Sequence, residues 1–215
     1  MSDAAIRKDV LAELDFESSI NDAHIDIAVE NGIVTLGGYV TSYAEKHGVE
    51  QAVLRVKGVR AIAGTVDVRV PNERKYSDEQ IAERALKVLR WNSVLPEDAV
   101  KVQVLDGWVS LNGEVPTYYQ RTMAEEGIRL LEGVVGIINQ ITVKPLIKAD
   151  DVKRKIEEAL LRRARVEASR IKVSIDGSQV ILDGHVHDWD ERQVVKVTAW
   201  AAPGVSSVLD RTVIG

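Results

Sequence analysis

Gly107-Trp108-Val109-Ser110-Leu111-Asn112-Gly113 is the stretch that decides the fold. The frame x-x-Val-x-Leu-x-Gly recurs from Gly32 to Gly38 and from Ser178 to Gly184. Twenty residues beyond each closing glycine stands a second glycine followed by valine: Gly58-Val59, Gly133-Val134 and Gly204-Val205. A constant offset in three copies means one small unit used three times.

The pattern around the heptad fills in the unit. Val100, Val102 and Val104 alternate with polar neighbours, which predicts a half-buried strand. Asp106-Gly107 is a tight-hairpin signal, because both residues tolerate positive φ. Val109 and Leu111 carry the returning strand, and Gly113 marks where it leaves toward a helix. Thr117 with Gln120 reads as a capping box. Ala124, Ile128 and Leu131 line the helix that follows. Gly133 ends it, and Val134–Val143 holds a last strand.

The flanking copies read alike. Ser2 caps a helix with Ile6, Val10 and Leu14 on one face. Ile25, Ile27 and Val29 make a strand, Asn31-Gly32 a turn, and Ser42 with Glu45 a capping box. Val49, Val53 and Val56 stripe the second helix, which Lys57-Gly58 closes before a strand over Val59–Val70. Gly37-Gly38 signals a bend or a close backbone approach. In the middle copy Ser77 with Gln80 starts a helix lined by Ile81, Ala85 and Leu89. In the third, Val152, Ile156 and Leu160 line the first helix, and Ile171, Val173 and Ile175 form the first strand. Asp176-Gly177 starts this turn one residue early. Asp188 with Glu191 caps the helix of Val195, Ala199 and Ala202, and Val208–Ile214 ends the chain.

Each unit therefore predicts helix, strand, strand, helix, strand. Three strands with one apolar face, covered by two amphipathic helices, make a two-layer α+β domain. The expected domains are residues 1–71, 76–145 and 148–215, joined by the short linkers Pro71–Tyr76 and Pro145–Ala149.

Composition narrows the function. The 215 residues contain no cysteine, which excludes disulfides and thiolate chemistry. The net charge of -5 divides as about -4, -2 and +1 over residues 1–74, 75–146 and 147–215. No region has the basic excess of a dedicated nucleic-acid binder. The first residues carry acidic side chains and no apolar core, and no apolar run is long enough to span a bilayer. A cytoplasmic chain is expected, with peripheral membrane contact open to it. There is no phosphate-cradling glycine loop, no Gly-x-Ser-x-Gly elbow and no His-Glu-x-x-His. No catalytic residue and no cofactor is assigned, and the chain reads as a non-enzyme.

At this point the repeats are recognisable. On Val34, Leu36, Gly38, Gly58 and Val59, on Val109, Leu111, Gly113, Gly133 and Val134, and on Val180, Leu182, Gly184, Gly204 and Val205, the units resemble the BON domain. The chain looks like three tandem copies, similar to OsmY-like osmotic-stress proteins. That resemblance implies a stress-related, non-enzymatic module that binds anionic phospholipid or other envelope surfaces. It also implies a periplasmic location, whereas the N-terminus shows no export signal, and OsmY-like proteins usually carry two copies. Membrane contact from the cytoplasmic side, or an intracellular protein-interaction or self-associating scaffold, are the alternatives; small-ligand or metal sensing is a third.

The candidate surface residues stand outside the motif. Tyr43, Tyr118 and Trp189 occupy one place in the three copies, just inside the second helix. Trp108, matched by Ile33, is out of phase with the inward valines. Two roles are open to these aromatics: a membrane- or protein-binding patch, or cover for the sheet edge and packing between repeats. Tyr119 and Trp91, the latter read as a loop residue, enlarge the apolar surface, and Trp200 is placed for packing. Arg162, Arg163, Arg165, Arg170 and Lys172 form a basic cluster suited to a headgroup phosphate, or a solvated helix end. His185 and His187 project to one side of a strand beside Asp188 and Asp190, a weak metal pair without a third ligand. His24 and His47 are expected in solvent.

Overall fold

The computed structural model describes residues 1–72, 75–144, 151–163 and 166–215. The second linker and parts of the first therefore lie outside the described residues. Cα proximity divides the chain into two compact units. One holds Met1–Trp91, Val102–Leu111 and Glu125–Asn139; the other holds Asn92–Lys101, Asn112–Ala124 and Gln140–Gly215.

The first repeat runs α1 (Asp3–Phe16), β1 (Ile25–Glu30), β2 (Ile33–Val40), α2 (Tyr43–Arg55), β3 (Ala61–Gly64) and β4 (Asp67–Val68). The second runs α3 (Asp78–Trp91), β5 (Val100–Leu105), β6 (Trp108–Val115), α4 (Tyr118–Arg129) and β7 (Gly136–Val143). The third runs α5 (Val152–Leu161), β8 (Ile171–Asp176), β9 (Gln179–Val186), α6 (Trp189–Trp200) and β10 (Ser207–Ile214). The heptad strand is central in every sheet: β2 lies between β1 and β3, β6 between β5 and β7, and β9 between β8 and β10. In the outer repeats it is antiparallel to the strand before it and parallel to the strand after it. A parallel pair needs a crossover, and α2 and α6 supply it.

Burial follows the alternation. Val34, Leu36, Val109, Leu111, Val180 and Leu182 are buried, as are Ile6, Val10 and Leu14 of α1 and Ile156 and Leu160 of α5. Each such side chain contributes about 1.5–3 kcal/mol on leaving water. Ser2 and Ser42 accept hydrogen bonds from Ala5 N and Glu45 N, so the expected caps form. Thr117 and Gln120 close their box in both directions, at 3.1 and 3.2 Å.

Several details depart from the sequence reading. Gly38, Gly113 and Gly184 are not at strand exits. Gly38 lies within β2 opposite Ile25, and Gly184 within β9 opposite Ile171. A Cβ on Gly38, Gly113 or Gly184 would stand 1.9, 2.0 or 2.0 Å from the carbonyl oxygen of His24, Ala99 or Arg170. These glycines let the preceding segment cross at backbone contact. The last strand of repeat one is broken: Gly64 has φ +71°, and a Cβ there would meet Leu36 O, so β3 and β4 pair with β2 as two pieces. Trp91 is the last residue of α3 rather than a loop residue, while Val56, Leu131 and Ala202 lie past the ends of their helices. Gly58, Gly133 and Gly204, with φ near +90°, also lie beyond those ends.

The third hairpin is not shifted. Asp176 pairs with Gln179, so the turn residues are Gly177 and Ser178. Ser206 N donates to Ser178 O at 2.9 Å, as Arg60 N does to Gly32 O and Val135 N to Gly107 O. What changes is the turn chemistry. Asn31-Gly32 and Asp106-Gly107 have positive φ at both residues, whereas the third turn has it only at Gly177. The first two turns are also tied to a helix: Asp3 accepts from Asn31 N and Gly32 N, and Asp78 from Asp106 N and Gly107 N, all at 2.8–3.0 Å.

Candidate functional site

Tyr43, Tyr118 and Trp189 each open the second helix of their repeat, and all three are half-buried. The Tyr43 hydroxyl is hydrogen-bonded to the backbone of Ile137 in β7. Burial, with Glu125 and Glu50 nearby, pushes its pKa up. One helical turn on, His47 lines the same groove as Arg129. Burial and the Arg129 charge lower its pKa, so His47 is not in free solvent as the sequence suggested. Glu125 is held from two sides, by Asn139 Nδ2 at 2.9 Å and Arg129 at 3.6 Å. Repeats one and two thus meet with the start of α2 against the end of α4.

Tyr118 makes a related contact in the other compact unit. Its ring stacks on Trp200, with centroids 4.5 Å apart and planes 13° from parallel. Trp200 also packs against the core of repeat three. Arg121, Glu114, Thr142 and Lys144 line an open groove beside this stack with Ser178 and Ser206. Trp189 has Arg192 over its ring at 5.0 Å, and its buried Nε1 has no acceptor.

Trp108 is 45% exposed, but one face of its indole is covered. A Cβ on Gly136 would stand 2.4 Å from the ring, so the indole lies on bare backbone of the neighbouring strand. Ile33 sits opposite Ala61, and Gln179 opposite Ser207. In each copy a larger side chain thus faces a smaller one at this place.

The basic cluster is only partly placed. Arg162, Arg163, Arg170 and Lys172 are exposed, and Arg165 lies outside the described residues. Arg170 pairs with Glu167 at 3.0 Å. His187 Nε2 lies 3.2 Å from the same carboxylate oxygen, while His185 and His187 are both exposed. Asp188 caps α6 by accepting from Glu191 N at 2.8 Å. Among the described residues no three His, Asp or Glu side chains converge as a metal site. His24 is exposed, as expected, and stacks on Tyr39 with ring centroids 4.5 Å apart.

Two features escaped the sequence reading. The third residue of each second helix reaches back to the loop after the first helix. Glu45 accepts from Asn21 N at 2.8 Å and Thr41 N at 2.9 Å; Glu191, only 3% exposed, accepts from Glu167 N at 2.9 Å and His187 N at 2.6 Å. Gln120 instead donates to Val94 O at 2.9 Å. In repeats one and three the box therefore closes on the residue before the cap. The second feature is an exposed apolar side chain at the last residue of every first helix: Phe16 82%, Trp91 89% and Leu161 74%. For Phe16 and Trp91, two residues past the last buried one, a phase turned away from the buried stripe was the available signal.

Three repeats, each with a central hairpin strand and two covering helices, define a chain built from small α+β domains. The BON domain model matches residues 2–70, 77–145 and 148–215, and the chain belongs to that family. It is 28% identical over 148 residues to the Osmotically-inducible protein Y of Escherichia coli (strain K12), covering 67% of this chain and 74% of that one. Among solved structures it is similar to CdsD, a structural protein of the Type III secretion system of Chlamydia trachomatis. One such structure aligns at 15% identity with a TM-score of 0.27, over 97% of this chain and 91% of the solved chain. The C-terminal domain of CdsD aligns at 16% identity with a TM-score of 0.25, over the full length of both. Among the described residues no helix is long and apolar enough to cross a membrane.

Proposed function

We propose that the chain is a non-enzymatic, stress-related module that binds an anionic phospholipid surface through the ends of its first helices. The observation that carries this reading is the exposed apolar residue ending each first helix: Phe16 and Trp91 two places past the last buried residue, and Leu161 one place past it, next to Arg162 at the equivalent position. Scattered exposed apolar residues mean little, but repetition at one site in two copies, with an apolar neighbour of that site in the third, supports shared use. In repeat three Leu161 is followed by exposed Arg162 and Arg163, and Arg90 precedes Trp91 in repeat two. An apolar tip beside cationic groups suits the boundary between acyl chains and anionic headgroups. In repeat one Phe16 lies between Asp15 and Glu17, so repeats two and three are the better binders. The relation to an osmotically inducible protein supports the stress role.

Co-sedimentation with phosphatidylglycerol and phosphatidylcholine vesicles, at low and physiological salt, tests the lipid reading. Binding to the anionic vesicles that weakens with salt, and falls in Trp91→Ala and Leu161→Ala but not in Trp108→Ala, is expected. No sedimentation with either vesicle sinks it. Cell fractionation decides between the cytoplasmic and periplasmic faces. A protein-interaction scaffold is the second reading, favoured by the aromatic contacts that already join repeats.

A further inference from the structure

Five Asn-Gly or Asp-Gly pairs occur in the chain: Asn31-Gly32, Asp106-Gly107, Asn112-Gly113, Asp176-Gly177 and Asp183-Gly184. Such pairs are places where a protein backbone can rearrange without a catalyst. The glycine nitrogen attacks the side-chain Cγ one residue back, and glycine has no Cβ to hinder the approach. The reaction needs an N–H that no acceptor holds and a side chain free to swing onto it. The fold decides which pairs meet both needs.

Asn112-Gly113 lies within β6 and Asp183-Gly184 within β9, each half-buried in the central strand of its sheet. The other three pairs sit at hairpin turns, and there the repeats differ. Asp3 accepts the Gly32 N–H at 2.9 Å, and Asp78 accepts the Gly107 N–H at 3.0 Å. Both glycines are buried, and a Cβ on them would stand 3.0 Å from Gly58 O and 2.9 Å from Gly133 O. Gly177 has neither protection. Among the described residues its N–H donates to no acceptor, and a Cβ there would meet nothing within 4 Å. Asp176, Gly177 and Ser178 are all exposed. The sequence supplies the reason. Asp3 and Asp78 stand three residues before Ile6 and Ile81, the first apolar residue of each helical stripe, whereas Ala149 stands three before Val152. The third repeat has no carboxylate at the place that clips the other two turns.

We propose that Asp176-Gly177 is a site of spontaneous backbone modification, converting with time to an isoaspartyl link, and that Asp3 and Asp78 shield the two corresponding turns. In the first step Gly177 N bonds to Asp176 Cγ. The N–H proton and the hydroxyl of the neutral carboxyl leave together as water, and a cyclic imide remains. In the second step water adds to one of the two imide carbonyls. Opening at Cγ restores aspartate. Opening at the former backbone carbonyl leaves Gly177 joined through the side chain, with the α-carboxylate free. Water is the only co-reactant. The new link carries an extra carbon through a two-residue turn whose ends are fixed by the pairing of Asp176 with Gln179, and which Ser206 N holds at Ser178 O, 2.9 Å away. It therefore loosens the turn where β8 and β9 meet the start of β10. The inference does not depend on lipid binding.

The test ages the full chain in neutral buffer and maps isoaspartate by electron-transfer fragmentation of its peptides. Methyl transfer from S-adenosylmethionine by a protein isoaspartyl methyltransferase is the second readout, since it marks the freed α-carboxylate. Asp106 is the internal control, because it is the same dipeptide in a clipped turn. One held hydrogen bond changes a rate by about tenfold, so isoaspartate should appear at Asp176 about tenfold faster than at Asp106. Asp78→Ala should raise the rate at Asp106 and leave the rate at Asp176 unchanged. In guanidinium, where both turns are lost, the two rates should converge. Equal rates at Asp106 and Asp176 in the folded chain, a gap that survives unfolding, or no acceleration at Asp106 in Asp78→Ala would each overturn the proposal.

Discussion

The carboxylate of Glu191 accepts the backbone N–H of Glu167, 24 residues earlier, at 2.9 Å. Its other oxygen accepts from His187 N. One nearly inaccessible side chain thus fixes the loop after α5 to the entry of α6. Removing it leaves two backbone donors without their acceptor, and each costs about 1–3 kcal/mol where water cannot reach. Glu191→Ala should destabilise repeat three by a few kcal/mol, and Glu191→Gln by less, since an amide retains one acceptor oxygen. Hydrogen exchange at the Glu167 and His187 amides is the direct measurement. Unchanged protection of both in Glu191→Ala would refute the clip.

Gly113 and Gly177 give a matched pair of glycine substitutions. Gly113→Ala places a Cβ 2.0 Å from Ala99 O, whereas Gly177→Ala meets nothing within 4 Å. Both have positive φ. Gly177→Ala should cost only the left-handed backbone penalty, about 1–2 kcal/mol. Gly113→Ala must in addition move a strand and should cost clearly more. Urea unfolding of the two variants measures the difference, and equal costs would argue against the crossing described for β6.

His47 should make stability depend on pH. Its folded pKa is lowered by burial and by Arg129. Below the unfolded value of about 6.5 the unfolded chain binds a proton that the folded chain resists. The contribution of a neutral His47 is therefore complete above that value and declines as pH falls through it toward the folded pKa. Wild type should lose stability relative to His47→Gln on acidification across that window. A wild-type-to-variant difference that does not change with pH would contradict the burial of His47.

Tyr118 and Trp200 should be energetically coupled. Stacked rings contribute about 0.5–1.5 kcal/mol beyond the area they bury. A double-mutant cycle of Tyr118→Ala and Trp200→Ala, read by thermal unfolding, should return a coupling energy in that range. Strict additivity would mean that the stack is incidental.

Much of the architecture could be read from residues because its signals are local. Asn31-Gly32 and Asp106-Gly107 specify turns by their own conformational freedom, and Ser2, Ser42 and Thr117 specify helix starts within three residues. The burial of Val109 and Leu111 follows from strict alternation. What stayed hidden depends on register or distance. The need for glycine at position 113 arises from the carbonyl of Ala99, which only strand pairing brings near. Glu191 reaches a loop 24 residues away, beyond the three-residue box that flags its capping role. The break between β3 and β4 was signalled by Gly64, a glycine inside a strand pattern, yet the valines on either side masked it. Trp108 is exposed as its outward alternation phase suggests, but the Gly136 that its other face covers belongs to another strand.

The parallel pairing of the third strand carries a kinetic consequence. In the outer repeats the antiparallel hairpin closes across two residues, whereas the third strand joins only after α2 or α6 has been traversed. Hairpins of that kind form in about 1–10 μs, and the longer closure costs more chain entropy before any contact is made. Within each outer repeat the hairpin is therefore expected to gain protection first in pulse-labelled refolding, with β3 or β10 last. The order of assembly is written into the connectivity rather than into any single residue, and reversal of that order in the labelling experiment would show otherwise.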